Sequence, residues 1–314
     1  ETGYQEVITD ASYWGQMVVF TYPHIGNVGI NCDDVESTQP WVRAVLVREM
    51  CAVPSNWRAQ QSLPDYLRAH GIPALSGLDT RRITLSLRQK GAMRGAVSTV
   101  NLDPERLVRI AREAPDISSM TPVTEVTCPD RGVWEAVVPS QWMLGREEHE
   151  APTPPHIVVI DCGVKHNILR HLATLGAHVT VVPADASADT IMDQQPDGVL
   201  ITNGPGDPEQ VPATIETVRN LLGRTPMFGI CLGHQVIGLA CGGAKFKLPF
   251  GHHGGNHPVR DLTTGLVAIT AQNHNFAIDA DSLAGLPVEI THVNLFDGTV
   301  EGLRHTQYSV SGVQ

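Results

Sequence analysis

From residue 157 onward, short apolar runs alternate with segments of helical period. Ile157-Val158-Val159-Ile160, Val179-Thr180-Val181-Val182, Gly198-Val199-Leu200-Ile201 and Met227 to Ile230 each have the length and β-branched content of a buried strand. Between them, Lys165 to Leu175, Ala188 to Gln194 and Pro212 to Leu222 carry apolar residues at helical spacing, the first closing near Gly176. Strands alternating with helices predict a parallel sheet covered on both faces, with ligands at the carboxyl ends of the strands. The fold class is α/β: a C-terminal domain built on a mostly parallel sheet covered by helices, and a mixed α/β N-terminal domain.

The N-terminal domain shows no such alternation. Gln16 to Tyr22 is strand-like, and Glu1-Thr2-Gly3-Tyr4 has the look of the middle of a strand. Leu63 to Gly71 predicts a short helix with Pro64 in its first turn. Asp79 to Gly91 predicts a second, with an acidic start, basic residues in its last turn and a closing glycine. Asp103 caps a third over Pro104 to Ala114. Gly145 to Pro155 is charged and then proline-rich, which suits an extended linker. The expected domains are therefore residues 1–150, linker included, and 151–314.

Composition narrows the function classes. The 314 residues suffice for two cores, and 42% hydrophobic with 18% charged residues is ordinary for a globular protein. A net charge of −11 disfavours nucleic acid or an anionic membrane surface as partner. No apolar run approaches the ~18–20 residues that span a bilayer. Six cysteines (32, 51, 128, 162, 231 and 241) show no paired spacing, which fits reduced thiols in a cytoplasm. His252, His253 and His257 fit no common zinc spacing, and no cysteine or carboxylate lies between them. A hydrogen-bonded loop and no metal are expected there.

The chemistry sits at Phe228-Gly229-Ile230-Cys231-Leu232-Gly233-His234-Gln235. Gly-x-Cys-x-Gly between a strand and a helix is the cysteine form of a nucleophile elbow. Gly229 and Gly233 permit a tight turn, and the start of the following helix favours the thiolate of Cys231. A thiolate, backbone donors for an oxyanion and a proton carrier are what amide hydrolysis needs. The Leu232 N–H follows the nucleophile directly. Asn203-Gly204-Pro205-Gly206, at the end of another predicted strand, can bring a second N–H close.

This octapeptide resembles the active-site turn of class I glutamine amidotransferases. Ile201 to Pro208, Phe250 to Pro258, Ala271 to Ala277, Thr2 to Glu6 and Tyr22 to Asn27 narrow the resemblance to the small, glutamine-hydrolysing subunits of carbamoyl-phosphate synthetase. The resemblance implies a γ-glutamyl thioester on Cys231. It implies ammonia passed to a large synthetase subunit, which uses ATP and Mg to make carbamoyl phosphate for arginine and pyrimidine synthesis. No cofactor is implied on this chain, and it lacks a Gly-x-x-x-x-Gly-Lys-Ser/Thr phosphate loop. Residue by residue, Gly204 and Gly206 would line the glutamine site, with Gly204 and Leu232 as oxyanion donors. Gln235 would contact the substrate, Asn273 and Phe276 would hold its amino-acid end, and Ser12 would reach it from the N-terminal domain. Asn275 stands where glycine is usual, at a backbone contact, and asparagine tolerates unusual φ.

The family's activating His and Glu belong to a His-Pro-Glu motif after a strand resembling Gln307 to Val310. This chain has Ser311-Gly312-Val313-Gln314 there. The histidine is expected near 313 and the glutamate two further on. His305 precedes the last strand and is not expected to reach Cys231. Together with a first residue that is not Met, this leads us to expect a longer native subunit. A non-catalytic binding subunit is the alternative, against which the intact Cys231 argues. A class I amidotransferase with another acceptor is disfavoured by the N-terminal motifs.

Overall fold

The computed structural model describes residues 2–139 and 153–314, so most of the expected linker lies outside the described residues. The chain forms two compact units, Glu1–Ser119 and Met120–Gln314.

The first unit contains helix α1 (Tyr4–Thr9), strands β1 (Met17–Val19), β2 (His24–Ile25), β3 (Ala44–Leu46) and β4 (Glu49–Met50), helix α2 (Leu63–Ala69), strand β5 (Ala74–Leu75), and helices α3 (Thr80–Lys90) and α4 (Pro104–Glu113). Strands β1, β3 and β5 form a parallel sheet, and β2 pairs with β4. The capping aspartates behave as predicted: Asp79 accepts the Arg82 N–H at 3.0 Å and Asp103 accepts the Glu105 N–H at 3.0 Å. The N-terminal segment does not. It is helical rather than extended, starting at Gly3 with φ 78°. Tyr4 and Ile8, one turn apart, are both fully buried, and the Tyr4 hydroxyl donates to the Gly29 carbonyl at 2.7 Å. Four residues are too few to separate period 2 from period 3.6, and the Tyr4–Ile8 spacing decides it.

The second unit begins with helix α5 (Val123–Val126) and strand β6 (Gly132–Trp134). The predicted alternation follows as β7 (His156–Asp161), α6 (His166–Thr174), β8 (His178–Pro183), α7 (Ala188–Met192), β9 (Gly198–Ile201), α8 (Pro212–Leu221), β10 (Met227–Ile230) and α9 (Leu232–Ala240). Then come β11 (Lys245–Asp261), β12 (Val267–Ile278), β13 (Val288–Asn294), β14 (Val300–His305) and β15 (Val310–Val313). All ten strands join one sheet, in the order β12-β11-β13-β14-β15-β10-β9-β7-β8-β6. The run β15-β10-β9-β7-β8 is parallel, and the strands on either side of it pair antiparallel. The central strands are apolar on both faces because helices cover them: Val158, Ile160, Val199 and Ile201 pack with Val218, Leu221, Val236 and Ile237.

Residues 250–258, predicted as a loop, lie inside the 17-residue strand β11. That strand pairs with β12 in a hairpin whose register shifts between Lys247 and His252 and between Gly254 and His257. Gly251 (φ 71°) and Gly254 (φ 111°) take backbone angles that side chains disfavour, so the strand bends where the ladder breaks. Glycine-rich sequence suggested a loop, but pairing with residues 267–278 extends it. Among the described residues no helix is long and apolar enough to cross a membrane.

Candidate active site

Cys231 lies between β10 and α9 with φ 52° and ψ −105°. It is one of two non-glycine residues with positive φ among the described residues. Such a backbone costs ~1–3 kcal/mol and persists only where its surroundings enforce it. Here they do. The Cys231 N–H donates to the Val313 carbonyl at 2.8 Å, and its own carbonyl accepts the Gln235 N–H at 3.1 Å. A Cβ on Gly229 would stand 2.5 Å from the Gly233 carbonyl group, and one on Gly233 would stand 2.1 Å from the Ile201 oxygen. Both glycines therefore let strand, turn and helix close on one another.

The glycine loop after β9 is held against this turn. Thr202 Oγ1 accepts the Cys162 N–H at 2.9 Å, and the Thr202 carbonyl accepts the Gly233 N–H at 3.1 Å. Asn203 is buried and donates to the Gly163 carbonyl at 2.9 Å. A Cβ on Gly204 would lie 2.2 Å from the Cys162 oxygen and 2.8 Å from Leu232 Cδ2. Gly204 and Leu232 are thus neighbours, and among the described residues neither N–H donates a hydrogen bond. Gly206 takes φ 93°.

The far side of the site comes from β12. Gln235, buried on the first turn of α9, donates to the Phe276 carbonyl at 2.7 Å and to Gln314 Oε1 at 2.7 Å. Asn273 Oδ1 meets His253 Nδ1 at 2.8 Å, while its buried Nδ2 has no hydrogen-bond partner among the described residues. Asn275 takes no positive φ, so the residue there is not called on for the tolerance that asparagine offers. It lies in β12, its Oδ1 beside Gly251. Ser12 belongs to the first unit, in a 3₁₀ turn where its N–H donates to Asp10 Oδ1 at 2.8 Å.

Strand β12 also carries a buried polar network that sequence reasoning missed. His274 reaches the Phe276 carbonyl with one ring nitrogen (2.8 Å) and Gln272 Oε1 with the other (2.7 Å). Gln272 and Asn294 donate to the two oxygens of Glu301 at 2.9 and 2.8 Å. His252 lies 3.4 Å from Glu301 and 2.9 Å from Asp297. Burial alone would lower the His252 pKa, but the carboxylates of Glu301 and Asp297 reverse this and raise it. Burial would likewise raise the Glu301 pKa, and the hydrogen bonds from His252 and Asn294 instead hold it down. His252, His274 and Glu301 bring one possible metal-ligand atom each within 4.8 Å of one another. The carboxylate that the sequence motif lacked is supplied by β14. The partners just described already occupy these atoms. The only signal in sequence was the density of polar residues in Ala271 to Asn275, which local periodicity cannot pair with Glu301.

Val313, where the resemblance expects a histidine, is in register with Ile230 at the carboxyl end of the sheet. His305 lies at the opposite end: β14 runs antiparallel to β15, Gly302 opposite Val313, and His305 is three residues further away. Its Nδ1 accepts the N–H groups of Gln307 and Tyr308 at 3.1 Å.

Residues 158–314 match the family model for class-I glutamine amidotransferases, and residues 1–97 match that for the CPSase domain of the carbamoyl-phosphate synthase small chain. The carbamoyl phosphate synthase small chain of Thermosynechococcus vestitus is 51% identical over 314 residues, covering 100% of this chain and 82% of its own length. That of Aquifex aeolicus is 49% identical over 315 residues, covering 100% of this chain and 84% of its own. That of Syntrophotalea carbinolica is 47% identical over 315 residues, with 100% and 83% covered.

Proposed function

Since the chain belongs to the carbamoyl-phosphate synthase small-chain family and is its glutamine-hydrolysing component, we propose that Cys231 is the nucleophile. Its thiolate adds to the side-chain amide carbon of glutamine. The oxyanion that forms takes hydrogen bonds from the Leu232 and Gly204 N–H groups. The C–N bond then breaks, ammonia leaves with an added proton, and water hydrolyses the thioester to glutamate. The observation that carries this reading is the backbone of Cys231, held at φ 52° at the head of α9.

Gly206, Gln235, Asn273, Asn275 and Phe276 complete the glutamine site. The unpartnered Nδ2 of Asn273 is a donor suited to the substrate carboxylate. The partner is a large subunit that receives the ammonia and uses ATP and Mg, in the cytoplasm. This chain's residues need no cofactor for their part.

Proton delivery is the step for which Val313 is unsuited, because its side chain carries no proton. Changing Val313→His and Gln314→Pro and following them with a glutamate builds the His-Pro-Glu motif that the resemblance implies. Ammonia release from glutamine, measured with the large subunit present, should rise by ~10²–10⁴ over the unaltered chain, the usual worth of general acid–base catalysis. It should vanish when Cys231→Ala is added. Hydrolysis that survives Cys231→Ala refutes the nucleophile.

A further inference from the structure

A partly buried ion pair joins the two halves of this site. Asp207 follows the glycine loop directly and is 4% exposed. Its Oδ1 accepts the Glu209 N–H at 3.0 Å, and its Oδ2 accepts from Lys245 Nζ at 2.7 Å. Lys245 opens β11, and its side chain is 16% exposed. The same ammonium stands 3.3 Å from Glu209 and 4.7 Å from the centre of the Phe276 ring. One cation thus touches the end of the loop that carries Gly204 and the aromatic ring assigned to the amino-acid end of glutamine.

Fold stability alone does not call for this arrangement. Desolvating an ammonium and a carboxylate costs about as much as their attraction returns, and apolar replacements are often as stable. A buried pair does fix distance and direction. A cation over a ring face adds ~0.5–2 kcal/mol and a second constraint. Lys245 and Asp207 are 38 positions apart in sequence, so the tie crosses from the parallel half of the sheet to the antiparallel hairpin.

We propose that Lys245 is a positioning residue for amide hydrolysis: it sets the distance between the Gly204 oxyanion donor and the Phe276 end of the glutamine site. This rests on the reading of Cys231 and Gly204 given above. Lys245 acts through Asp207 and Phe276 and does not itself touch the reacting atoms.

The test is covalent labelling of the whole chain by a chloromethyl-ketone analogue of glutamine, followed by intact mass. The Cys231 sulfur forms a bond to the chloromethyl carbon, chloride leaves with the C–Cl electron pair, and no proton carrier is needed. The ketone oxygen sits where the oxyanion would. The maximal labelling rate, kinact, therefore reports the donors, and KI reports the amino-acid end. Iodoacetamide alkylation, followed at the Cys231 peptide because Cys32 is also exposed, reads the intrinsic reactivity of that thiol. For Lys245→Met, kinact should fall by ~10–100-fold, the scale of a misplacement near 1 Å, while the iodoacetamide rate stays unchanged. Lys245→Arg, which keeps both charge and ring contact, should recover most of the loss. A folded Lys245→Met with unchanged kinact overturns the proposal. If that variant does not fold, the double variant Asp207→Asn/Lys245→Met leaves no lone buried charge. It should fold yet keep the low kinact, and parental kinact in it overturns the proposal. An unaltered chain that reacts with iodoacetamide but not with the chloroketone refutes the underlying glutamine site instead.

Discussion

Gly204→Ala tests the proposal that the Gly204 N–H is the second oxyanion donor. Its Cβ would lie 2.2 Å from the Cys162 oxygen. A comfortable contact needs ~3.5 Å, so one side must retreat by about 1 Å. Cys162 cannot: it is fully buried at the end of β7, and its N–H is held by Thr202 Oγ1 at 2.9 Å. Movement toward α9 is blocked by Leu232 Cδ2 at 2.8 Å. The loop itself must move, and the Gly204 N–H with it. A donor displaced by that much no longer bonds the oxyanion, and losing one such donor costs ~10²–10³ in rate, about 3–4 kcal/mol. Chloroketone labelling of Gly204→Ala should show this fall in kinact with little change in KI. Gly176→Ala is the companion: Gly176 has φ 87° and open space around its Cβ position. That change should destabilise by about 1–2 kcal/mol, the cost of a left-handed alanine, without altering labelling. A folded Gly204→Ala labelled within threefold of the parent would refute the donor assignment.

Cys231→Gly removes the strained side chain along with the nucleophile. It should abolish labelling and raise unfolding free energy in urea by about 1 kcal/mol, so a less stable variant would show that the turn is not strained. His234 is fully buried, and burial pushes its pKa down to about 4. The unfolded chain binds that proton first as pH falls, so stability is unaffected above pH 6.5 and is lost progressively from there to about pH 4. At ~1.4 kcal/mol per unit the loss is about 3 kcal/mol, and urea titrations at several pH values should find it missing in His234→Leu, whereas equal slopes in parent and variant would contradict the assignment.

The parts of this protein legible in sequence are those fixed by neighbours in sequence. Asp79 and Asp103 announce their helices because a cap needs only the next three residues. The elbow announces itself because Gly229, Cys231 and Gly233 carry its geometry within five positions, and β10 has the expected ends. The antiparallel half of the sheet was not legible. Strand β11 hides in glycine and histidine because its ladders depend on residues up to 35 positions away, from Val259 to Asn294. Glu301 gives no local sign that it will accept from Gln272 and Asn294, since strand alternation says which face a side chain takes and not what meets it there.

This division has a functional consequence. On the proposed assignment, the parallel strands deliver the nucleophile and the oxyanion donors on turns that their own glycines define. The antiparallel hairpin delivers Asn273 and Phe276, and no local motif fixes their distance from Cys231. That distance depends on ties between the two halves: Gln235 to the Phe276 carbonyl at 2.7 Å, and Lys245 to Asp207 at 2.7 Å. The His274 contact converges on the same Phe276 carbonyl at 2.8 Å, so the Glu301 network bears on the strand that Gln235 also holds. A strand held twice at one carbonyl would leave little freedom for the amino-acid end of glutamine in the proposed site. The reactive end is limited in turn by the glycine contacts around Gly204 and Gly233. Substitutions that loosen a tie should therefore lower kinact before they unfold the chain, whereas substitutions in the parallel core around Val158 and Ile201 should lower both together.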